Sequence, residues 1–142
     1  MRGAALLLGA ALLAMAPAGH AQNSMTKPSI QIYAGPLHRD YLGCLNCDQF
    51  DPLSIWDNYG AFGLDNAYPD MSRYAEYRRP KGRYSACDAY AKDPPILIDN
   101  ARKDYGVFST SDTRADSICG PHGDPGLCSK LKAMCARQGQ PG

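Results

Sequence analysis

The sequence predicts a small α+β domain stapled by disulfides, and three observations support this fold class. Aliphatic side chains are scarce: Leu, Ile, Val and Phe total 18 of the 121 residues from 22 to 142. So low a share is typical of disordered chains, but this segment has zero net charge, all 13 aromatic residues and all six cysteines. Short strand patterns and one helical pattern complete the prediction. We therefore expect cross-links to supply much of the stability.

Residues 1–21 are predicted to be a secretory signal peptide. Arg2 precedes a run of Ala, Leu, Gly and Met from Ala4 to Ala16, and Ala21 ends a small-residue cleavage site. The apolar run is too short to span a bilayer, and no cysteine follows it directly. We expect a periplasmic or secreted product with no membrane span and no lipid anchor.

A single secreted domain, residues 22–142, is predicted to follow. The predicted order is N-terminal strands in 22–47, Tyr/Gly-rich degenerate repeats in 48–95, a hairpin in 96–110 and a Cys-containing helical tail in 111–142.

Strand signals lie on both sides of the repeats. Ser29 to Tyr33 alternates polar and apolar residues, and Tyr41 to Leu45 is a second candidate strand. Two further apolar runs, Ile96 to Asp99 and Tyr105 to Thr110, are joined by a polar connection of about five residues. That arrangement predicts the hairpin, and we expect the strands to pair antiparallel.

The C-terminal segment carries a helical pattern. Asp124 is a suitable N-cap and Pro125 a suitable first residue. Leucine, cysteine and methionine follow at helical spacing, and Gly139 and Pro141 end the pattern. The apolar positions are Leu127, Cys128, Leu131, Met134 and Cys135.

A short pattern recurs in the middle of the chain, at Ser54 to Tyr59, Ser72 to Tyr77 and Ser85 to Tyr90. In each copy a bulky residue lies two positions after the serine, and a tyrosine lies five positions after it. The pattern predicts one tight aromatic turn that is repeated along the chain. The alternative interpretation is chance recurrence in a segment rich in Ser and Tyr.

The six cysteines allow 15 complete pairings. Cys128 and Cys135 lie seven residues apart on the predicted helix, so their Cα atoms are about 10 Å apart and no bond between them is possible. Because Cys119 bonds to at most one of them, the other must reach the earlier body of the protein. The predicted disulfide cysteines are Cys44, Cys47, Cys87, Cys119, Cys128 and Cys135.

Cys44 and Cys47 form a C-x-x-C motif, for which a redox pair and half a zinc site are alternatives. A thioredoxin-like site needs a strand-helix-strand context that is missing here. A zinc site needs a second well-spaced pair of ligands, and beyond the other cysteines only His38 and His122 are available. We favour structural disulfides and expect no cofactor and no metal.

Three segments resemble a family of small secreted bacterial proteins. They are Tyr41 to Cys47, Ser54 to Gly63, and Asp93 to Asp99 leading to Tyr105 and Gly106. Members of the family carry a leucine-glycine-cysteine start, aromatic-glycine repeats and a closing proline-proline strand hairpin. The resemblance spans roughly residues 30 to 110 and implies no particular activity. The chain departs from the family pattern at residues 78–82 and at residue 87.

Charge is segregated along the chain although it sums to zero. Residues 39–70 hold six Asp against one Arg, whereas residues 71–84 hold five basic residues against Glu76. Cations interleaved with tyrosines are typical of surfaces that bind anionic polymers, by pairing with phosphate or sulfate and by stacking. The alternative interpretation pairs the basic segment with the acidic one inside the molecule. The candidate binding residues are Arg73, Tyr74, Tyr77, Arg78, Arg79, Lys81, Arg83 and Tyr84.

Other kinds of site have weaker signals. Asp57, Asp65 and Asp99, each followed by Asn, are better explained by Asx turns than by calcium binding. Trp56, with Tyr59 and Phe62, is either a sugar-binding platform or a packing anchor, and packing is favoured.

The sequence therefore predicts a non-enzymatic binding or envelope-interaction module. Its partner is expected to be an anionic envelope polymer or another exported protein. The alternative is a small secreted hydrolase with His38 or His122 as its base.

Overall fold

The computed structural model describes residues 27–64, Tyr77 and residues 81–137. The predicted signal peptide, the middle copy of the repeat except for Tyr77, and the end of the chain with Gly139 and Pro141 lie outside these residues.

Four strands form one sheet in which every neighbouring pair is antiparallel. The strands are β1 (Ile30–Ala34), β2 (Asp40–Cys44), β3 (Ile96–Asp99) and β4 (Asp104–Val107). The order across the sheet is β2-β1-β3-β4, so the first strand lies beside the third. A short 3-10 helix, Pro36–His38, connects β1 to β2. With the C-terminal helix, the sheet confirms the predicted α+β class.

The hairpin ends earlier than the sequence predicts. Strand β4 stops at Val107 and does not continue to Thr110, because the Ser109 N–H turns back and donates to the Val107 carbonyl at 3.0 Å. Phe108 still donates its N–H to the Pro95 carbonyl, and its ring is buried. The chain then leaves the sheet.

Each edge strand is covered by one residue of a later turn. Ser54 forms a parallel bridge with Cys44 at the end of β2, and Ser117 forms the same bridge with Val107 at the end of β4. At both edges, the N–H of the strand residue donates to the carbonyl of the residue before the serine. The carbonyl of the same strand residue accepts from the N–H of the residue after the serine. The turns therefore pair backbone groups at both edges of the sheet.

Helix α1 (Pro125–Ala136) begins as its sequence predicts. Asp124 Oδ1 accepts hydrogen bonds from Gly126 N and Leu127 N at 2.8 and 3.1 Å, which caps the first turn. The three disulfides are Cys44–Cys47, Cys87–Cys135 and Cys119–Cys128. The Cys87–Cys135 bond confirms that the terminal helix is tied to the earlier body.

The core lies between the sheet, the turns and one face of α1. It is small and mostly aliphatic, and parts of Trp56, Tyr84 and Tyr105 pack against it. Its largest fully buried side chains include Ile32, Leu42, Leu45, Ile55, Leu97, Phe108, Ile118, Leu131 and Met134. Residues 48–64 and 81–95 contain turns and no helix or strand, as predicted for the repeat segment. Across the described residues, none of the helices has the length and apolar character needed to cross a membrane.

Candidate functional site

The candidate site is built on serine turns whose backbone is fixed by buried hydroxyls. Ser54 Oγ donates to the Cys47 carbonyl at 3.3 Å and accepts from Trp56 N at 3.1 Å. Ser85 Oγ donates to the Tyr77 carbonyl at 3.2 Å and accepts from Cys87 N at 3.1 Å. Both serines are fully buried. The first and third copies of the sequence pattern therefore share one local structure.

An aspartate fixes the second half of each of these turns. Asp57 Oδ1 accepts from Tyr59 N at 3.0 Å, and Asp88 Oδ1 accepts from Tyr90 N at 2.9 Å. These are Asx turns, as the sequence predicts for Asp57. The tyrosine that follows is 93% exposed in the first copy and 87% exposed in the third. Each phenol thus projects into solvent from a backbone that side chains hold in place.

Tyr77, the tyrosine of the middle copy, is in a different environment. It is 8% exposed, and its hydroxyl donates to Asp40 Oδ2 at 2.6 Å. Its ring therefore has little surface to offer to a stacking partner. Ser72 and Tyr74 of the same copy lie outside the described residues.

A further copy of this turn, which the sequence pattern does not predict, lies at Ser117. Ser117 Oγ donates to the Ser109 carbonyl at 2.8 Å and accepts from Cys119 N at 3.1 Å, as in the other two copies. The exposed His122 stands five positions after the serine, where the other copies have tyrosine. A search for Ser with Trp or Cys two positions later, without requiring tyrosine, finds this copy.

The basic segment is described only in part. Arg73, Arg78 and Arg79 lie outside the described residues, and Lys81 is exposed. Arg83 Nε pairs with Asp93 Oδ2 at 2.6 Å, and its guanidinium lies 5.6 Å from the centre of the Tyr84 ring. The hydrogen bond and charge of Asp93 raise the pKa of Arg83. Asp93 lies outside the acidic segment 39–70, and the side chains of Arg83 and Asp93 are both substantially exposed.

Residues 81–93 form one hydrogen-bonded unit, which we call the cationic turn. Asp88 Oδ2 accepts from Gly82 N at 2.9 Å, while the Asp93 N–H donates to the Arg83 carbonyl at 2.9 Å. The backbone hydrogen bonds from Gly82 and Tyr90 lower the pKa of Asp88, so its carboxylate stays ionised and keeps both contacts. Three of the predicted binding residues, Lys81, Arg83 and Tyr84, lie on this unit. The exposed Tyr90 lies on it as well and was not among them.

The two candidate bases for hydrolysis lie in different surroundings. His38 Nε2 is 3.1 Å from the Pro94 carbonyl, which commits that nitrogen as a donor. His122 lines an open cleft of about 520 Å³ together with Asp104, Asp116 and Asp124. Within the described residues, neither imidazole has a hydrogen bond to a carboxylate or to a nucleophile. The hydrolase interpretation stays a prediction.

Metal ligation has no support in the described part of the chain. No group of three or more His, Cys, Asp or Glu side chains there is arranged to hold an ion. All six cysteines are in disulfides. Asp57 and Asp99 use carboxylate oxygens to accept backbone N–H groups, whereas Asp65 is outside the described residues.

Comparisons of this chain with protein-family models, curated proteins and solved structures found no match. The resemblance to small secreted bacterial proteins therefore stays a prediction, and the proposals below rest on the site itself.

Proposed function

We propose that the protein is an exported, non-enzymatic binding module for an anionic polymer, and that its binding face consists of the cationic turn and the basic residues Arg73, Arg78 and Arg79. The observation that carries this proposal is the cationic turn itself. It presents Lys81, Arg83 and the ring of Tyr90 to solvent from a backbone fixed by Ser85 and Asp88. Groups held in place before binding lose less entropy when a ligand arrives.

The chemistry of these groups suits a chain of phosphates or sulfates. Lysine and arginine neutralise the charged groups and release condensed counterions, which supplies affinity that depends on salt. Exposed phenol rings add contact area with little loss of side-chain entropy. The Arg83–Asp93 pair does not oppose this role, because both side chains are substantially exposed and an ion pair between exposed groups is weak and screened by salt.

The segment's role is tested with dextran sulfate as the probe. We expect binding that weakens steeply as salt rises from about 50 to 200 mM. The triple variant Arg78→Gln/Arg79→Gln/Lys81→Gln should abolish most of the binding and reduce the slope of log affinity against log salt by about two. Its melting temperature should match the wild type.

The matched control is Lys27→Gln/Arg102→Gln/Lys132→Gln, which removes the same charge from exposed positions elsewhere. It should bind dextran sulfate nearly as well as the wild type. Equal losses in both triple variants would show that net charge alone drives binding. A large drop in melting temperature for the first variant would favour internal charge pairing. Either result contradicts the proposed binding face.

A further inference from the structure

The Cys44–Cys47 disulfide differs from the other two bridges in what surrounds its sulfur atoms. Cys44 is fully buried at the end of β2, whereas Cys47 is half-buried. Among the described residues, the half-buried cysteines of the other bridges, Cys87, Cys119 and Cys135, all pack against the hydrophobic core, but Cys47 does not. Cys47 is therefore the end of a bridge that a nucleophile from solvent reaches without displacing core side chains.

The backbone on both sides of this bridge is held by hydrogen bonds that do not need it. The Cys44 N–H donates to the Leu53 carbonyl at 2.7 Å, and the Ile55 N–H donates to the Cys44 carbonyl at 3.1 Å. At the other end, the buried Ser54 hydroxyl donates to the Cys47 carbonyl at 3.3 Å. The bridge closes a loop with a sequence separation of only 3, so opening it releases little chain. We expect the loop to keep its fold when the bond is open.

The side chain between the two cysteines is placed to receive a thiol. Asn46 Oδ1 accepts from the Ile30 N–H at 2.7 Å, and Asn46 Nδ2 donates to the Pro28 carbonyl at 2.9 Å, which fixes the amide. The same Oδ1 lies 3.5 Å from Cys44 Sγ. A disulfide sulfur carries no hydrogen, so this contact becomes a hydrogen bond only when Cys44 is reduced, and an amide oxygen accepts two such bonds. The buried thiol therefore has an acceptor ready in the reduced form.

We propose that the Cys44–Cys47 bond is a thiol–disulfide exchange site, at which the folded protein accepts electrons from low-molecular-weight thiols such as glutathione. The thiolate of one such molecule attacks Cys47 Sγ, the bond between the two protein sulfurs breaks, and Cys44 leaves as a thiolate that takes a proton from water. A second thiolate then attacks the glutathione sulfur of the mixed disulfide and displaces Cys47, which is protonated in turn. The protein bond gains two electrons and two protons, and the two small thiols are joined as one disulfide.

This activity differs from that of a thioredoxin-like site. The motif is followed by turns in residues 48–64, so no helix N-terminus of the described residues lies there to favour a thiolate at Cys47. The site accepts electrons from small thiols and is not built to catalyse exchange in other proteins. It is also separate from the cationic turn and from the proposed binding function.

The first test uses wild-type protein that is purified without reductant and then incubated with reduced glutathione. Alkylation of free thiols followed by peptide mass spectrometry identifies the reduced cysteines. We expect Cys44 and Cys47 to be reduced at least about tenfold faster than the other two bridges, because attack on those requires the core to open. The reduced protein should keep a cooperative thermal transition, and oxidised glutathione should restore the bond. Equal rates at all three bridges, or loss of the transition when only this bond is open, would overturn the proposal.

Two single variants identify the attacked sulfur. Cys44→Ser leaves the half-buried Cys47 thiol, and Cys47→Ser leaves the buried Cys44 thiol. With oxidised glutathione, folded Cys44→Ser should form a mixed disulfide with one glutathione. Cys47→Ser, the matched control, should react only after urea has unfolded it. Equal modification of the two folded variants, or none in Cys44→Ser, contradicts the assignment of Cys47. Neither experiment uses an anionic polymer, so the results do not depend on the proposed binding function.

Discussion

Asp99 shows how one buried carboxylate organises the end of the hairpin. It is 5% exposed, and its Oδ1 accepts from the N–H groups of Ala101 and Lys103 at 2.8 Å each. Its Oδ2 accepts from the Tyr105 hydroxyl at 3.0 Å. Burial opposes ionisation, but these hydrogen bonds and the charge of Lys103 hold the pKa of Asp99 below its ordinary value of 3.8.

The lowered pKa predicts an acid-dependent loss of stability. Because Asp99 binds its proton less readily in the folded state, its contribution is complete above pH 3.8 and is lost as pH falls through its lower folded pKa. In urea denaturation at a series of pH values, Asp99→Asn should be less stable than the wild type at pH 7, and the difference should shrink in acid. Asp112→Asn, which removes an exposed carboxylate, is the control. A difference that does not change with pH contradicts the assignment.

At the scale of elements, the two edges of the sheet are finished in the same way. Gly43 in β2 and Gly106 in β4 both have positive φ, of 103° and 91°. A Cβ at these glycines would lie 2.8 Å from the Leu53 carbonyl oxygen and 2.3 Å from that of Asp116, the residues that precede Ser54 and Ser117. The glycines therefore let each serine turn close onto its strand.

This close approach predicts a cost for any side chain at Gly106. Gly106→Ala should lower the free energy of unfolding by on the order of 1 to 3 kcal/mol, because the methyl group meets a backbone oxygen at a positive φ. Gly82→Ala is the matched control, since its nearest neighbour is the Ser85 Cβ at 3.6 Å. Equal stabilities of the two variants in chemical denaturation would show that the edge contact does not require glycine.

The elements were predictable because their signals are local. The alternation in β1, the hairpin of β3 and β4, and the Asp124 cap of α1 are all contained in a few neighbouring residues. The pairing of β1 with β3 was not predictable, since more than 60 residues separate Tyr33 from its partner Ile96. Strand order follows from such distant contacts.

In the candidate site, too, the features set by local contacts were predictable and those set by distant contacts were not. The turns at Ser54 and Ser85 could be predicted, because their hydrogen bonds join residues close in sequence. The burial of Tyr77 could not, because its partner Asp40 lies 37 positions away and no local pattern marks the contact. The copy at Ser117 was missed because His122 replaces the tyrosine that the pattern required.

At the scale of the whole molecule, the three disulfides differ in the length of chain they close. Cys87–Cys135 closes a loop with a sequence separation of 48, against 9 for Cys119–Cys128 and 3 for Cys44–Cys47. A disulfide restricts the unfolded chain, and this stabilises the fold more when the closed loop is longer. The expected contributions to the free energy of unfolding are about 4 kcal/mol for the longest loop, about 3 for the middle one and about 2 for the shortest. The longest loop also fixes α1 against the rest of the core.

These differences predict a rank order for the three double Cys→Ala variants. Removal of Cys87 and Cys135 should lower the melting temperature most, removal of Cys119 and Cys128 less, and removal of Cys44 and Cys47 least. Thermal unfolding followed by circular dichroism measures the order. The reverse order, with the C-x-x-C bond most important, would show that loop closure does not determine how these bridges stabilise the fold.

The most direct test of the account is a thiol count on protein purified without reductant, combined with thermal unfolding in the presence and absence of reductant. We predict no titratable thiol before reduction and six afterwards. Reduction should also abolish the cooperative transition or lower its midpoint sharply, because the small aliphatic core cannot hold the turns and α1 together. Six titratable thiols in a cooperatively folded, unreduced protein would contradict the account.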